Sequence, residues 1–418
     1  MRKILKIVII IVIVLIIGLI LKFLYEDYRI KHAKILVETI ENLDIEVYSE
    51  IKLSDLIESI NGKIIKDRKI NTQKIGKKEI TFKYINDEKI KVEYSFEINI
   101  VDITPPYISN TKNITVNKGS SVNLESRFFC GDNYDRTPKC EVIGEYNINE
   151  LGDYNLVYKA TDSSDNTTEN EFTLHVIEPS KNENKSESVS TKTYFKDIVN
   201  IHKNENTKIG IDVSKWQGDI DFKKVKEAGV EFVFIKLGGQ EKKNGEYYID
   251  RKFEENIKGF TKENIPVGIY FFSYADSTKE AKKQAKWIIK QIKKYKIELP
   301  IVFDWENWES FKEYKLSFYE LTKMNEVFIK ELEKEKYKGM LYSSKYYLEN
   351  IWYKPERFDI WLAHYTDKTN YNGKYKFWQL CDDGIIDGIK GRVDIDIMYN
   401  WSLQIVSFLL WKLNFLKK

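Results

Sequence analysis

Leu299-Pro300-Ile301-Val302-Phe303-Asp304-Trp305-Glu306 is an apolar run that closes on two carboxylates two residues apart. A strand turns successive side chains to opposite faces, so this spacing puts Asp304 and Glu306 on one face. If the strand belongs to a barrel, both carboxylates project at its C-terminal mouth, where barrel enzymes assemble their sites. Two other stretches repeat the arrangement. Gly210-Ile211-Asp212-Val213-Ser214 sets Asp212 against Ile211 and Val213, and Arg392-Val393-Asp394-Ile395-Asp396-Ile397 sets two aspartates against three aliphatics.

Working outward, the segments 209–214, 231–237, 266–274, 299–306, 338–343, 358–364, 374–380 and 392–397 read as strands, with helices expected at 250–264, 278–296 and 316–336. Strands alternating with helices point to an α/β barrel, and eight strands are enough to close one. Little helical periodicity separates the last three, so the TIM-like barrel is expected to be irregular at its end. Carboxylates from three of its strands then converge. Neighbouring like charges raise at least one pKa, which is what sugar-bond hydrolysis needs: one carboxyl kept protonated for the leaving oxygen, another to stabilise positive charge or attack. A lone aspartate is better explained as a helix cap or a lysine's partner; three strand-end clusters are not.

The N-terminal half differs in kind. Residues 7 to 21 are apolar or Gly, and Ile4, Leu5 and Phe23 to Tyr25 extend the run around Lys6 and Lys22. Its length meets the roughly 20 residues a bilayer demands. Arg2, Lys3 and Lys6 precede it, which places the N-terminus in the cytoplasm and the rest of the chain outside. The alternative, a cleaved signal peptide, lacks a small-x-small site after the run. Next, Ile75-Gly76 followed by Ile80 and Phe82 recurs as Leu151-Gly152 followed by Leu156 and Tyr158, and Phe96, Ile98 and Ile100 recur as Phe172, Leu174 and Val176 at the same displacement. A duplicated period-two pattern implies two tandem all-β sandwich domains. Cys130 and Cys140 bracket a short loop that a disulfide is expected to close on the oxidising side of a membrane, with two buried thiols as the other reading. From 179 to 207 the chain turns to Lys, Asn, Glu, Ser and Thr, reading as a flexible linker that tethers the barrel loosely.

The expected multidomain plan is therefore a membrane anchor (1–25), a stalk (26–43), β domains at 44–102 and 103–178, the linker, a barrel at 208–400 and an apolar tail at 401–418. The tail is too interrupted for a second span and is expected to form an amphipathic helix on the barrel or the membrane surface. Sixty-seven basic against 64 acidic residues leave a net charge of +3, too balanced to suggest nucleic-acid binding. With three cysteines, and no Cys/His cluster at zinc spacing, neither a metal nor a cofactor is expected.

The motifs Gly210 to Ser214 with Trp216-Gln217-Gly218, Pro266 to Ser273, Phe303 to Glu306, Tyr342-Ser343-Ser344, Ile360 to Ala363 with Tyr365, Phe377-Trp378-Gln379 and Gly391 to Asp394 together resemble glycoside hydrolase family 25 lysozymes, in order, over about 190 residues. The resemblance implies five βα units and three further strands that cut the β-1,4 bond between N-acetylmuramic acid and N-acetylglucosamine in peptidoglycan. It implies Glu306 as general acid, with Asp304 orienting the acetamido group or tuning the acid, and Asp212 and Asp394 completing an acidic cleft. Whether an enzyme carboxylate or the substrate's own acetamido oxygen attacks stays open. Tyr270, Phe272, Tyr342, Trp361 and Trp378 are candidate sugar-stacking platforms, with core packing the alternative for each. Lys236-Leu237-Gly238-Gly239 departs from an arginine and tyrosine usual in the family, Leu380-Cys381 departs after Trp378-Gln379, and Asp396 stands for a frequent asparagine.

Residues 103–178 similarly resemble bacterial immunoglobulin-like surface domains, through Asp102 to Pro106, Gly152-Asp153-Tyr154, Tyr158 and Ala160-Thr161-Asp162. That implies a spacer or adhesive role, with wall or secretion-apparatus partners. The expectation for the whole is a cell-wall hydrolase held at the outer face of the membrane for local remodelling. A non-catalytic wall-binding surface protein is the alternative, and a glycosidase for another polymer such as chitin a third.

Overall fold

The computed structural model describes residues 2–109, 111–179, 192–308 and 311–399. The expected tail at 401–418 lies outside them. The chain divides into two units, Met1–Ile103 and Thr104–Lys418.

The first unit begins with a helix, Arg2–Lys31, whose apolar side chains from Ile7 to Leu24 are exposed. Its β portion is built on the hairpin Gly76–Asn86 and Lys91–Val101, with Asp44–Glu46 added parallel to the second arm and Gly62–Ile64 antiparallel to the first. One face of the hairpin is buried through Ile80, Phe82, Tyr84, Val92, Ile98 and Ile100. The expected stalk at 26–43 needs correction: the helix runs on to Lys31, and Val37–Thr39 pairs with Ile57–Ile60. A strand only three residues long, next to a helix, is held there by pairing with a distant segment.

The second unit opens with a β module of the same strand order. Its hairpin is Gly152–Thr161 with Thr167–Ile177, and Ile114–Asn117 and Lys139–Ile143 occupy the corresponding edges, the former parallel and the latter antiparallel. Leu156, Tyr158, Ala160, Phe172, Leu174 and Val176 form its core, so the repeated apolar positions do repeat a burial pattern. Cys130 is joined to Cys140, with Cα atoms 6.6 Å apart.

The barrel that follows is closed by eight strands: β1 (Thr207–Val213), β2 (Val233–Gln240), β3 (Val267–Phe272), β4 (Ile301–Asp304), β5 (Gly339–Ser344), β6 (Ile360–Ala363), β7 (Phe377–Ile385) and β8 (Val393–Tyr399). Neighbours are parallel from β1 through β7, and β8 runs antiparallel between β7 and β1. Helices Phe253–Lys262, Thr278–Ile292 and Phe318–Glu333 cover the first strands. Ser277 and Ser317 cap the last two by accepting from the amides of Glu280 and Glu320, removing orphan donors at each first turn. Two cores result. Outward residues such as Ile211, Phe303 and Ile395 pack under the helices, while Phe232, Phe234, Val302, Met340, Trp361 and Phe377 fill the interior.

Two linker expectations are overturned. Residues 180–191 lie outside the described ones, but Thr193–Tyr194 pairs with β7 and Phe195–His202 is a helix whose Phe195 and Ile198 are buried in the outer core. Two apolar side chains three apart on a helix anchor a segment whose composition is otherwise polar. Nor is the barrel loosely tethered to the β module. Phe318 N donates to Asp132 O at 2.8 Å, Tyr107 and Tyr346 share a hydroxyl hydrogen bond of 2.7 Å, and Arg136 forks onto Glu320. Phe129 packs on Phe311, ring centroids 5.3 Å apart.

Gly131 sets this closeness, because a Cβ there would stand 2.5 Å from the Phe318 ring. Gly131→Val is expected to cost about 1–3 kcal/mol through overpacking, seen as a lowered thermal midpoint. Arg136→Ala, removing a guanidinium 65% exposed, is expected to shift the midpoint little.

Candidate active site

Strand alternation decides what faces the barrel interior. On β4, Ile301 and Phe303 point out with Trp305 beyond them, and Val302 and Asp304 point in. Trp305 is fully buried, its indole donating to Ala275 O at 2.9 Å, and this pins the chain where the strand ends. Glu306 is then exposed, at the edge of a groove of about 440 Å³ that Tyr342, Tyr347, His364 and Tyr365 also line. Asp304, just inside, is hydrogen-bonded to Glu306. Burial first, then the Glu306 charge and that hydrogen bond, push Asp304 well above the carboxylate range, with Lys236 opposing. Its Oδ1 is buried with no partner.

The second acidic group comes from β1 and β8. Register places Asp212 directly opposite Asp394 and Gly210 opposite Asp396. Like charges facing each other across a ladder repel, so protons are retained. Asp212 is raised well above its ordinary value by burial and then by Asp394 and Asp396. Asp394 is pushed up to about 6 by burial and Asp382, partly offset by its hydrogen bond to Asp212. Asp396 is fully buried, accepts from Trp361 Nε1 at 2.8 Å, and is likewise raised by burial. A neutral Asp396 presents the uncharged hydrogen-bonding group that an asparagine would.

Gln379 ties the site together. Its Nε2 donates to Asp212 Oδ2 at 2.8 Å, and its Oε1 accepts from Tyr342 and Tyr365 hydroxyls at 2.8 and 3.0 Å. The electrostatic links from Glu306 reach Asp304, Tyr342 and Asp394, so carboxylates of three strands do meet at one mouth.

A model of the family "Glycosyl hydrolases family 25" matches residues 211–389. Among curated proteins, YegX of Escherichia coli O6:H1, itself described as uncharacterized, is 30% identical over 197 residues, which are 45% of this chain and 68% of that one. The chain belongs to glycosyl hydrolase family 25. It is thereby a glycoside hydrolase, of the muramidase class. An autolytic lysozyme of Clostridium acetobutylicum is 26% identical over 195 residues, 45% of this chain and 54% of the relative, so only about half of that protein's length is spanned. Among solved structures, a family 25 glycosyl hydrolase from Bacillus anthracis shows 26% identity, coverage of 51% and 94%, and a TM-score of 0.41. The modular autolysin LytC from Streptococcus pneumoniae, in complex with a synthetic peptidoglycan ligand, shows 25% identity, coverage of 58% and 56%, and a TM-score of 0.42.

Within this family 25 domain, the aromatic candidates separate. Tyr270, Phe272 and Tyr342 are half-buried on inward or rim positions. Trp361 and Trp378 are each 2% exposed and offer no open face. Trp361 stacks on Phe234 beneath the site, whereas Trp378 faces the outer core, edge-on to His202. The reason is the period of two: on β7 Gln379 points inward, so its neighbour Trp378 points out. Sequence reasoning missed Gln379 as a functional residue, and the same alternation would have found it. Trp308, stacked on Tyr347 at 3.9 Å, was also missed, and Lys236, noted in the sequence only as a departure from the family, lies 4.8 Å over the Phe272 ring. Buried Cys381 has its thiol pushed up to about 12 by burial, which leaves it un-nucleophilic.

Proposed function

We propose that the chain hydrolyses the β-1,4 bond between N-acetylmuramic acid and N-acetylglucosamine, with Glu306 as general acid. The observation that carries this is the hydrogen-bonded pair of Asp304 and Glu306, one carboxyl buried and proton-retaining, the other open to a groove in a family 25 barrel. A carboxyl that keeps its proton beside an exposed one holds that proton within reach of the leaving oxygen. A hydrogen-bonded pair is closer than the ~5–5.5 Å between acid and nucleophile in retaining enzymes. Asp304 is therefore a partner of the acid, not the attacking group, which favours attack by the substrate's acetamido oxygen, oriented by Asp304. Asp394 stabilises the positive charge that develops on the sugar, and the proton-retaining Asp212 is its hydrogen-bonding partner.

The same reading places the enzyme at the outer face of the cytoplasmic membrane. Support comes from the helix Lys6–Lys31, whose most apolar stretch of 18 residues has a mean hydropathy of 3.5 and no burial, with Arg2, Lys3 and Lys6 ahead of the apolar run. The two β modules, of equal strand order, then serve as immunoglobulin-like spacers that set how far into the wall the barrel reaches. Mass spectrometry of peptidoglycan digested by the purified chain tests the chemistry. New reducing ends on N-acetylmuramic acid are expected; reducing N-acetylglucosamine, or no release, overturns the assignment.

A further inference from the structure

The β module of the second unit walls a second cavity, of about 780 Å³, against the barrel. Glu125, Arg127 and Phe129 line it from the module, and Trp308, Lys312 and Glu313 from the barrel. It adjoins the catalytic groove: Trp308, Ser344, Tyr346 and Tyr347 line both. The stacked Trp308 and Tyr347 rings form the shared floor, and Tyr346 is held at the junction by its hydroxyl bond to Tyr107 of the module.

Three features describe what fits there. An exposed aromatic ring, that of Tyr346, suits the C–H face of a pyranose. Among the described lining residues, two carboxylates (Glu125, Glu313) offset two cations (Arg127, Lys312), a balance that suits a neutral sugar. Finally, Ser109 lines the cavity at 3% exposure, and its Oγ has no hydrogen-bond partner, a group that costs stability unless something satisfies it.

We infer that this cavity is a distal glycan subsite, taking an N-acetylglucosamine unit of the same strand whose scissile bond lies at Glu306. The inference rests on the muramidase reading and extends it: the β module is part of the substrate-binding surface. Binding energy gathered away from the reacting bond then favours long strands over fragments.

The test uses the full chain in detergent and glycan strands stripped of stem peptides, either long or cut to fragments that span only the Glu306 groove. Glu125 and Arg127 are exposed, so the double variant Glu125→Ala with Arg127→Ala retains the fold. On long strands its kcat/KM is expected to fall about 5- to 30-fold, the effect of losing two hydrogen-bonding partners. On fragments it should match the parent. An equal change on both substrates, or none on either, overturns the subsite; a loss seen only when stem peptides are left in place identifies the peptide as occupant and overturns it too. If the parent cleaves neither substrate, the muramidase reading itself has failed.

Discussion

Glu306→Gln is expected to lower kcat by about 10²–10⁴-fold, the range that removal of a general acid produces, with the fold intact. The amide has the shape of the acid and can still hydrogen-bond Asp304, but it has no proton to give. Because Glu306 is exposed and lies beyond the last residue of β4, the exchange empties no core position. Asp304→Asn should do less. It leaves the acid in place and removes the buried carboxyl that shares its proton, so kcat should fall by a smaller factor and the pH profile should move. Turnover near the parent level in Glu306→Gln, with an unchanged melting curve, would falsify the assignment of the proton donor.

What was legible in the sequence follows from periodicity. The barrel strands were visible as short apolar runs, and β1, β4 and β8 stood out because their inward residues are conspicuous: Asp212, Asp304, Asp394 and Asp396 in an apolar setting. The duplicated hairpins were visible for the same reason, since Ile80 and Phe82 keep the buried positions of Leu156 and Tyr158. What escaped depends on distant partners. Val37–Thr39 is a strand only because Ile57–Ile60 lies beside it, and Phe195 and Ile198 hold a helix only because the barrel's outer core receives them. Gly131 gave no hint that it admits Phe318, and so none that the β module closes on the barrel. Trp378 drew attention by size, whereas the side chain that reaches Asp212 is the less conspicuous Gln379 beside it.

Asp394→Asn is expected to make the protein more stable at neutral pH and less active. Burial, with repulsion from Asp382 and Glu306, lifts the Asp394 carboxyl from 3.8 to about 6. The folded protein thus holds this proton more tightly than the unfolded chain does, and stability falls as pH rises through that interval. The group's favourable contribution is complete below about pH 4 and gone above about pH 6, where Asp394 is ionised in a buried place near Asp382 and Glu306. Asparagine does not titrate, so thermal midpoints of parent and variant should converge in acid. They should separate at neutral pH, by an amount on the order of 1–3 kcal/mol in the variant's favour. Activity should move the other way, because a charge that destabilises the empty cleft is the one that meets positive charge developing on the sugar. In the variant the ascending limb of the pH–activity curve near 6 should therefore weaken or vanish. A variant less stable than the parent at neutral pH would show that Asp394 supports the fold instead of straining it, and the acidic pair would lose its catalytic reading.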